Sequence, residues 1–284
     1  MFSKLKLGGL SCSPLRVSAM ALALSVSVMP AASVASDLSA REIMEKVDAR
    51  DTGESSLAVS TMILVDKHER KRERQLKQLS KEYEAETKSV VLFETPTELK
   101  GTVYLNYNWV DADLDNDSWL YLPALGAARR VASADQSGAF LGSDFSYADV
   151  NGFELEWYDY ELIEPSVLVD GHDCWLIEYT PKSDIEQRVI SKTGNIRTRV
   201  WIRKDILMLV KSQIWQEQAG RIKFFKASEI SEIENIWTAM TQQMVTTRNG
   251  KLEHSTVLQT HSIKYNIELE DRLFTVANMQ RDYD

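Results

Sequence analysis

Cysteine is scarce in this sequence, with only two in 284 residues. Cys12 lies in an N-terminal segment with the features of a secretion signal, so only Cys174 is expected in the mature chain. One cysteine excludes an intramolecular disulfide, and stability must therefore come from an ordinary hydrophobic core. Long apolar runs are also missing after residue 35, where the longest is the five residues from Ile206 to Val210. A membrane-spanning helix is thus not expected in the mature chain.

The first 35 residues have the parts of a secretory signal peptide. A basic start is followed by a mostly apolar stretch over residues 17–29 and by small residues at 33 and 35. The sequence therefore predicts cleavage near Ala35 and export of residues 36–284 to the periplasm. The apolar stretch is too short to span a bilayer, and Cys12 precedes it, so neither a membrane anchor nor a lipid anchor is expected.

Basic residues are few in the exported part. Residues 1–35 contain three of the 33 Lys and Arg and none of the 42 Asp and Glu, which leaves a net charge of −12 after cleavage. Such a charge argues against nucleic acid and anionic membrane surfaces as partners. No linker, repeat or low-complexity tract marks a boundary, so residues 36–284 are predicted to form one domain.

Motifs of the common hydrolases are also missing: there is no nucleophile elbow, zinc-binding helix or phosphate loop. Alternating aspartates from Asp111 to Asp117 resemble a calcium loop, but Asn116 and Leu122 replace its glycine and glutamate, which favours a solvated acidic hairpin turn. His172 and Cys174 lack a recognisable orienting acid, so a buried strand cysteine is expected. The sequence therefore predicts no enzyme activity, no cofactor and no metal site.

What the exported part does contain is period-two alternation of apolar and polar residues. Ser39 and Glu42 form a capping box that predicts a short helix over 39–50, and strands follow, joined by turns such as Asn249-Gly250. The predicted strands are residues 57–65, 70–79, 88–93, 102–109, 118–122, 158–168, 174–179, 196–202, 208–215, 224–230, 237–247 and 255–267. The arginines of the second strand, Arg70, Arg72 and Arg74, are predicted to form a solvated edge.

About a dozen strands with little helix between them predict a mainly β fold built on one meandering antiparallel sheet. A sheet of this length curls, and it then closes into a barrel, splits into a sandwich or stays half open under a helical cover. The helix at 39–50 and the segment 136–153 are candidates for such a cover. Periodicity alone does not choose between the three outcomes.

The most informative stretch runs from Trp119 to Asp149. Trp119 and Tyr121 share one face of a strand, and Trp109 extends that face in the next strand. They are predicted to form the wall of an apolar cleft over which a glycine-containing segment folds. The covering residues would be Phe140, Leu141, Phe145 and Tyr147. Because leucines occupy the other face of the strand, the alternative is a central strand buried on both sides.

Arg129 and Arg130 follow this strand directly. Guanidinium groups bind a lipid phosphate or a carboxylate through paired hydrogen bonds, so the two arginines are candidates for a headgroup site. The alternative is an internal latch, in which Asp144 or Asp149 of the cover pairs with them.

These residues also carry a family resemblance. The sequence WLYLPAL at 119–125, the arginine pair and GSDFSY at 142–147 closely resemble the signature of the outer membrane lipoprotein-sorting branch of the LolA/LolB-like proteins. The opening helix followed by DARDTG at 48–53, TPTELKGTV at 95–103 and LFTVANMQR at 273–281 resemble the same family in matching order, whereas residues 183–195 match no part of the pattern. The resemblance implies a half-open, unclosed β-barrel with short helices covering its concave face.

The same resemblance implies a function. Its members are non-catalytic periplasmic carriers or chaperones that shield a lipid or lipoprotein acyl chain. They are thought to work with inner-membrane transporters of the resistance-nodulation-division (RND) class in outer-membrane trafficking. The alternative is an accessory or regulatory subunit of such a transporter that carries no lipid cargo.

The first testable prediction concerns processing. Intact-mass measurement of the exported protein is expected to give a chain that begins at Ser36 and has no acyl group, because a small-x-small site follows the apolar stretch. A mass that retains residues 1–35, or one that includes a diacylglyceryl group, would contradict the prediction. An Ala35→Arg variant is the control, since a large basic residue at that site should block cleavage.

Overall fold

The computed structural model describes residues 38–281 and residue 283. The predicted signal peptide and Cys12 lie outside the described residues. Thirteen strands form a single antiparallel sheet. They are β1 Ser55–Asp66, β2 Lys71–Glu82, β3 Glu86–Phe93, β4 Val103–Trp109, β5 Asp117–Leu122, β6 Ala127–Arg130, β7 Tyr158–Val169, β8 His172–Pro181, β9 Asn195–Arg203, β10 Met208–Gln216, β11 Arg221–Ile233, β12 Ile236–Arg248 and β13 Lys251–Tyr265.

Helices are few and short. Helix α1 spans Ala40–Asp48, α2 spans Tyr147–Asn151 and α3 spans Glu186–Thr193, and short 3-10 turns complete the list for the described residues. The capping box of α1 is present as predicted, with the Ser39 side chain accepting from the Glu42 backbone. Helix α3 lies in residues 183–195, where no element was predicted. No helix in the described part of the chain combines the length and the apolar character that crossing a bilayer requires.

The strand order explains why the sheet is open. The order is β6-β5-β4-β3-β2-β1-β13-β12-β11-β10-β9-β8-β7, so β6 and β7 follow each other along the chain but form opposite edges of the sheet. The sheet is therefore not closed into a barrel, and the predicted fold is confirmed. Strand β6 was not predicted as a strand, because its four residues, AARR, carry no period-two pattern.

The sheet curls around one face. Side chains of β3 and β10, which lie six positions apart in the sheet, line the same cavity. We call this the inner face. The connection between β6 and β7, residues 131–157, lies over it, and Phe140 packs there against buried side chains of β1 to β4. These partners are Met62, Leu64, Leu76, Val91, Phe93 and Tyr104.

The C-terminal segment covers part of the other, outer face. Residues of two 3-10 turns, Asp271–Phe274 and Val276–Gln280, pack against Leu79, Val103 and Leu105. Helix α1 covers the far half of the inner face through Ile43 and Met44, with partners Ile177, Val200 and Ile202 on β8 and β9. Strands β3 and β4 are thus buried on both faces, since Val91 and Tyr104 lie under the cover and Val90 and Leu105 lie under the C-terminal segment.

The second testable prediction concerns this outer layer. Phe274 is fully buried, so Phe274→Ala should lower the free energy of unfolding by about 3–5 kcal/mol, as measured by urea denaturation. Leu125→Ala is the control, because Leu125 is 51% exposed and its loss should change stability by no more than about 0.5 kcal/mol. Equal effects of the two substitutions would mean that the C-terminal segment does not pack on the sheet as described.

Candidate functional site: two cavities under a latched cover

The middle of the β6–β7 connection, residues 136–153, forms the cover predicted from the sequence. Leu141 and Gly142 both have positive φ, 48° and 79°, and reverse the chain in a tight turn. The Phe140 backbone N–H donates to the Phe145 carbonyl at 2.8 Å across this turn. Glycine at 142 allows the second left-handed residue at no steric cost. The turn aims Phe140 and Phe145 at the inner face.

Aromatic contacts hold one end of the cover. Phe140 and Tyr147 meet edge to face, with ring centroids 5.3 Å apart, and both contact Tyr104 of β4. Leu141 packs against the same cluster. The Tyr104 hydroxyl donates to Asn151 Oδ1 at 2.5 Å, and burial raises the pKa of that hydroxyl. The structure therefore brings together Phe140, Leu141 and Tyr147 over β4, but on the face of the sheet opposite to Trp119 and Tyr121.

Asp144 latches the cover to the opposite half of the sheet. Its carboxylate is buried and accepts hydrogen bonds from the hydroxyls of Thr246 on β12 and Thr256 on β13. Its backbone N–H donates to Thr256 Oγ1 at 2.9 Å, and His254 Nδ1 also contacts the carboxylate. A second aspartate, Asp149, pairs with the buried Lys223 at 3.1 Å. Five polar contacts from two aspartates thus fasten the cover to β11, β12 and β13.

The predicted latch partners were wrong. Arg129 and Arg130 are both exposed, and Arg130 pairs with Asp117 of the neighbouring strand β5 instead of Asp144 or Asp149. The reason is topological, because β6 is an edge strand while the aspartates of the cover reach β11, β12 and β13. The arginine that does hold the cover is Arg74, whose guanidinium donates to the Leu141 carbonyl at 2.8 Å. Arg74 is 8% exposed, so the prediction of a solvated arginine edge holds only for Arg70 and Arg72.

Two cavities lie between the inner face, the cover and α1. The first has a volume of about 570 Å³ and the second about 490 Å³. Both volumes fall within the roughly 300–1,000 Å³ typical of pockets that enclose small ligands. Phe145 and Phe225 line both cavities, so the two spaces adjoin at these rings. Phe145 itself packs against Ile214 and Met244.

The first cavity is apolar over most of its length. It is bounded by β1, β2 and β3 on one side and by β10 to β13 on the other. Its apolar lining includes Ala58, Met62, Leu76, Val91, Phe140, Phe145, Met208, Leu258 and Ile263. Its polar side chains include Arg50, Ser56, Thr238 and Tyr265.

The second cavity carries acidic groups at its rim. Asp48 of α1 and Glu154 line it, and burial raises the pKa of both carboxyls. Gln136 also lines this space, and its buried Nε2 has no hydrogen-bond partner among the described residues. The one lysine in the lining, Lys192, contacts Asp115. Asp149, which pairs with Lys223, lines both cavities, so the cavities differ in having Arg50 in the first and Asp48 and Glu154 in the second.

The predicted cleft wall lies elsewhere. Trp119 and Tyr121 pack on the outer face against the cluster of Leu269, Phe274 and Met279, and neither lines a cavity. Trp119 stacks edge to face on Tyr107, with centroids 5.1 Å apart. Trp109 donates its indole N–H to Asp117 and also lies outside both cavities. The C-terminal segment, whose position the sequence did not predict, covers this face.

The acidic hairpin turn is not merely solvated. Asp115 contacts Lys192 and pairs with Arg188 at 3.3 Å, both on α3, and the hydrogen bond from Lys192 is the main cause of a lowered Asp115 pKa. Lys192 also lies 4.9 Å from the centroid of the Trp157 ring. The β4–β5 turn is thereby tied to residues next to β7. These side-chain contacts thus link the half of the sheet that contains β4 and β5 to the half that contains β7 to β9, although the edge strands β6 and β7 do not pair.

Cys174 lies in the core, as predicted. It is fully buried against Ile206, Met208 and Val210, and burial raises the pKa of its thiol. A protonated, enclosed thiol is a weak nucleophile. Within the described residues, no three His, Cys, Asp or Glu side chains lie close enough to hold a metal ion.

Comparison with known proteins places this architecture. A family model described as "Uncharacterized protein" matches residues 85–281, more than half of the chain. No curated protein matches the sequence. A solved structure described as an outer membrane lipoprotein-sorting protein domain, from Vibrio parahaemolyticus, is similar with a TM-score of 0.76 and 27% identity. The alignment covers 85% of this chain and 98% of that one.

Two further structures are similar. A DUF1329 family protein from Desulfovibrio piger has a TM-score of 0.75 and 27% identity, with 84% of this chain and 97% of that chain covered. A LolA superfamily protein from Nitrosomonas europaea has a TM-score of 0.61 at 18% identity, covers 84% of this chain and 98% of its own, and shows a common fold. The chain belongs to the matched family, of the DUF1329 type, and it shares its fold with an outer membrane lipoprotein-sorting domain and with a LolA superfamily protein.

Proposed function

We propose that this protein is a periplasmic carrier that encloses an acyl chain of a lipid or lipoprotein without catalysing a reaction. The observation that carries the proposal is the pair of adjoining cavities, about 570 and 490 Å³, between the inner face and a cover of aromatic side chains. Burial of an acyl chain contributes roughly 0.8 kcal/mol per methylene, which suffices for tight but reversible binding.

The attachment of the cover supports reversible loading. Asp144, Asp149 and Arg74 fasten it through polar contacts at a few points, while the chain around them is short turns and a five-residue helix. Such segments open at lower free energy than the sheet beneath them. An acyl chain can then enter when the cover swings away from β12 and β13.

Location and delivery are the finer parts of the proposal. Cleavage near Ala35 would release the carrier into the periplasm. The fold is shared with a lipoprotein-sorting domain. Work with an inner-membrane transporter of the RND class, in outer-membrane lipid or lipoprotein trafficking, follows from the family resemblance alone.

The third testable prediction concerns the cavity wall. A fluorescent fatty acid should bind the wild type, and Phe145→Asp should weaken binding at least tenfold because a carboxylate would stand in the apolar lining of both cavities. Trp119→Ala is the matched control, since it removes an aromatic ring from the outer face and should leave affinity unchanged. Thermal melts identify any variant that fails to fold.

Three outcomes contradict the proposal. Wild-type protein that binds no apolar ligand would make the cavities mere packing defects and would favour an accessory subunit of a transporter. A folded Phe145→Asp variant with normal affinity would exclude the cavities as the binding place. A large loss of affinity in folded Trp119→Ala alone would return the site to the outer face.

The fourth testable prediction concerns the latch. Asp144→Ala leaves two buried threonine hydroxyls without their acceptor, at a cost of about 1–3 kcal/mol each, and should loosen the cover. Hydrogen exchange of residues 136–153 should speed up while exchange in β12 and β13 changes little, and the off-rate of a bound fatty acid should rise. Asp135→Ala, an exposed aspartate in the same connection, is the control. Unchanged exchange in the cover of Asp144→Ala would exclude the latch.

A further inference from the structure

Arg50 stands at one end of the first cavity, just beyond the C-terminus of α1. Its Nη1 donates to two backbone carbonyls, that of Trp237 at 3.0 Å and that of Asp51 at 3.3 Å. These two bonds fix the guanidinium against β12. A fixed guanidinium is prepared for a ligand, because little side-chain freedom remains to be lost on binding.

Among the described residues, Arg50 has no carboxylate within ion-pair distance. No carboxylate of residues 38–281 forms an ion pair with it, although ion pairs are common elsewhere in the same chain. Its Nε and Nη2 donate to no described residue. Burial lowers the pKa of Arg50, and nearby Tyr265 and Asp51 raise it. A half-buried guanidinium without an acidic partner is costly, and an anion placed beside it would offset that cost.

Hydroxyl groups accompany the arginine. Thr238 directly follows Trp237, whose carbonyl Arg50 holds, and Thr238 Oγ1 lies 2.7 Å from the Tyr265 hydroxyl. Both side chains line the first cavity together with Ser56. One corner of the cavity thus offers a guanidinium and three hydroxyls. The remaining lining, toward Phe140 and Phe145, is mostly apolar.

The second cavity shows the opposite charge. Asp48 and Glu154 line it, and its one lysine already contacts Asp115. A carboxylate or phosphate would be repelled there, whereas the Arg50 corner attracts it. Arg50 at the first cavity and Asp48 and Glu154 at the second therefore determine which cavity takes a negatively charged group.

We propose that the Arg50 corner is the headgroup site of the carrier, and that the cargo is a single-chain anionic amphiphile whose carboxylate or phosphate binds Arg50 while its acyl chain runs toward Phe140 and Phe145. This proposal rests on the proposed function. It places at Arg50 the headgroup site for which Arg129 and Arg130 were candidates; those two arginines lie outside both cavities.

The fifth testable prediction uses displacement of a neutral fluorescent probe, N-phenyl-1-naphthylamine, by three ligands with the same chain: dodecanoate, dodecyl phosphate and dodecanol. The wild type should bind the two anions about tenfold or more tighter than the alcohol. Arg50→Gln should abolish that preference and leave the affinity for dodecanol and for the probe unchanged. Arg50→Lys should restore part of it, because a lysine keeps the charge but not the paired donors.

Lys46→Gln is the matched control, since it removes one positive charge from an exposed position on the same helix and should keep the preference. Inorganic phosphate alone should not displace dodecanoate; displacement would mean a plain anion site and would overturn the amphiphile assignment. Wild type that binds neither the probe nor dodecanol would contradict the carrier function itself. Normal probe binding with an undiminished anion preference in folded Arg50→Gln would overturn only the headgroup site.

Discussion

The structure depends on one topological constraint: β6 and β7 are consecutive in the chain but form opposite edges of a thirteen-stranded sheet. Adjacent strands lie about 4.8 Å apart, so a flat sheet of this width would separate its edges by roughly 58 Å. The connection of residues 131–157 therefore crosses the curled inner face and becomes its cover. The segment that links the two edge strands is thus also the cover of the open barrel.

In a closed barrel, ladders join every strand to its neighbours. An open barrel lacks the ladder between its two edges and needs other contacts to hold its halves together. This molecule uses different contacts at different places. Aromatic packing fixes the cover over β4, carboxylates fix it to β11, β12 and β13, and the Asp115 contacts with α3 join the β4–β5 turn to the far half. Between these fixed points the inner face is not filled, and the cavities remain. The space is thus a consequence of how the cover is attached.

The sequence predicted the sheet well and the site in part. Twelve strands, the capping box of α1 and the aromatic cover follow from local patterns, which short-range sequence carries. The orientation of β5 does not follow from local patterns. Trp119, Leu120, Tyr121 and Leu122 are all apolar, so alternation does not show which side chains face inward and which face outward. The C-terminal segment determines which face of β5 is the outer one by covering Trp119 and Tyr121. Its own position depends on contacts between residues about 150 positions apart in the sequence.

The charged residues of the site were the hardest to predict for the same reason. Arg129 and Arg130 drew attention because they are adjacent in the most specific part of the family motif, whereas Arg50 is a single arginine in DARDTG, a segment that resembles the family only weakly. What distinguishes Arg50 is a missing partner, and a missing partner is visible only when all neighbours are in place. Of the arginines next to the inner face, Arg74 donates a hydrogen bond to the cover. Arg50 donates only through Nη1, which leaves its other N–H groups for a ligand. Arg74 thus holds the cover over the inner face, whereas Arg50 lines the first cavity, where the anionic headgroup is proposed to bind.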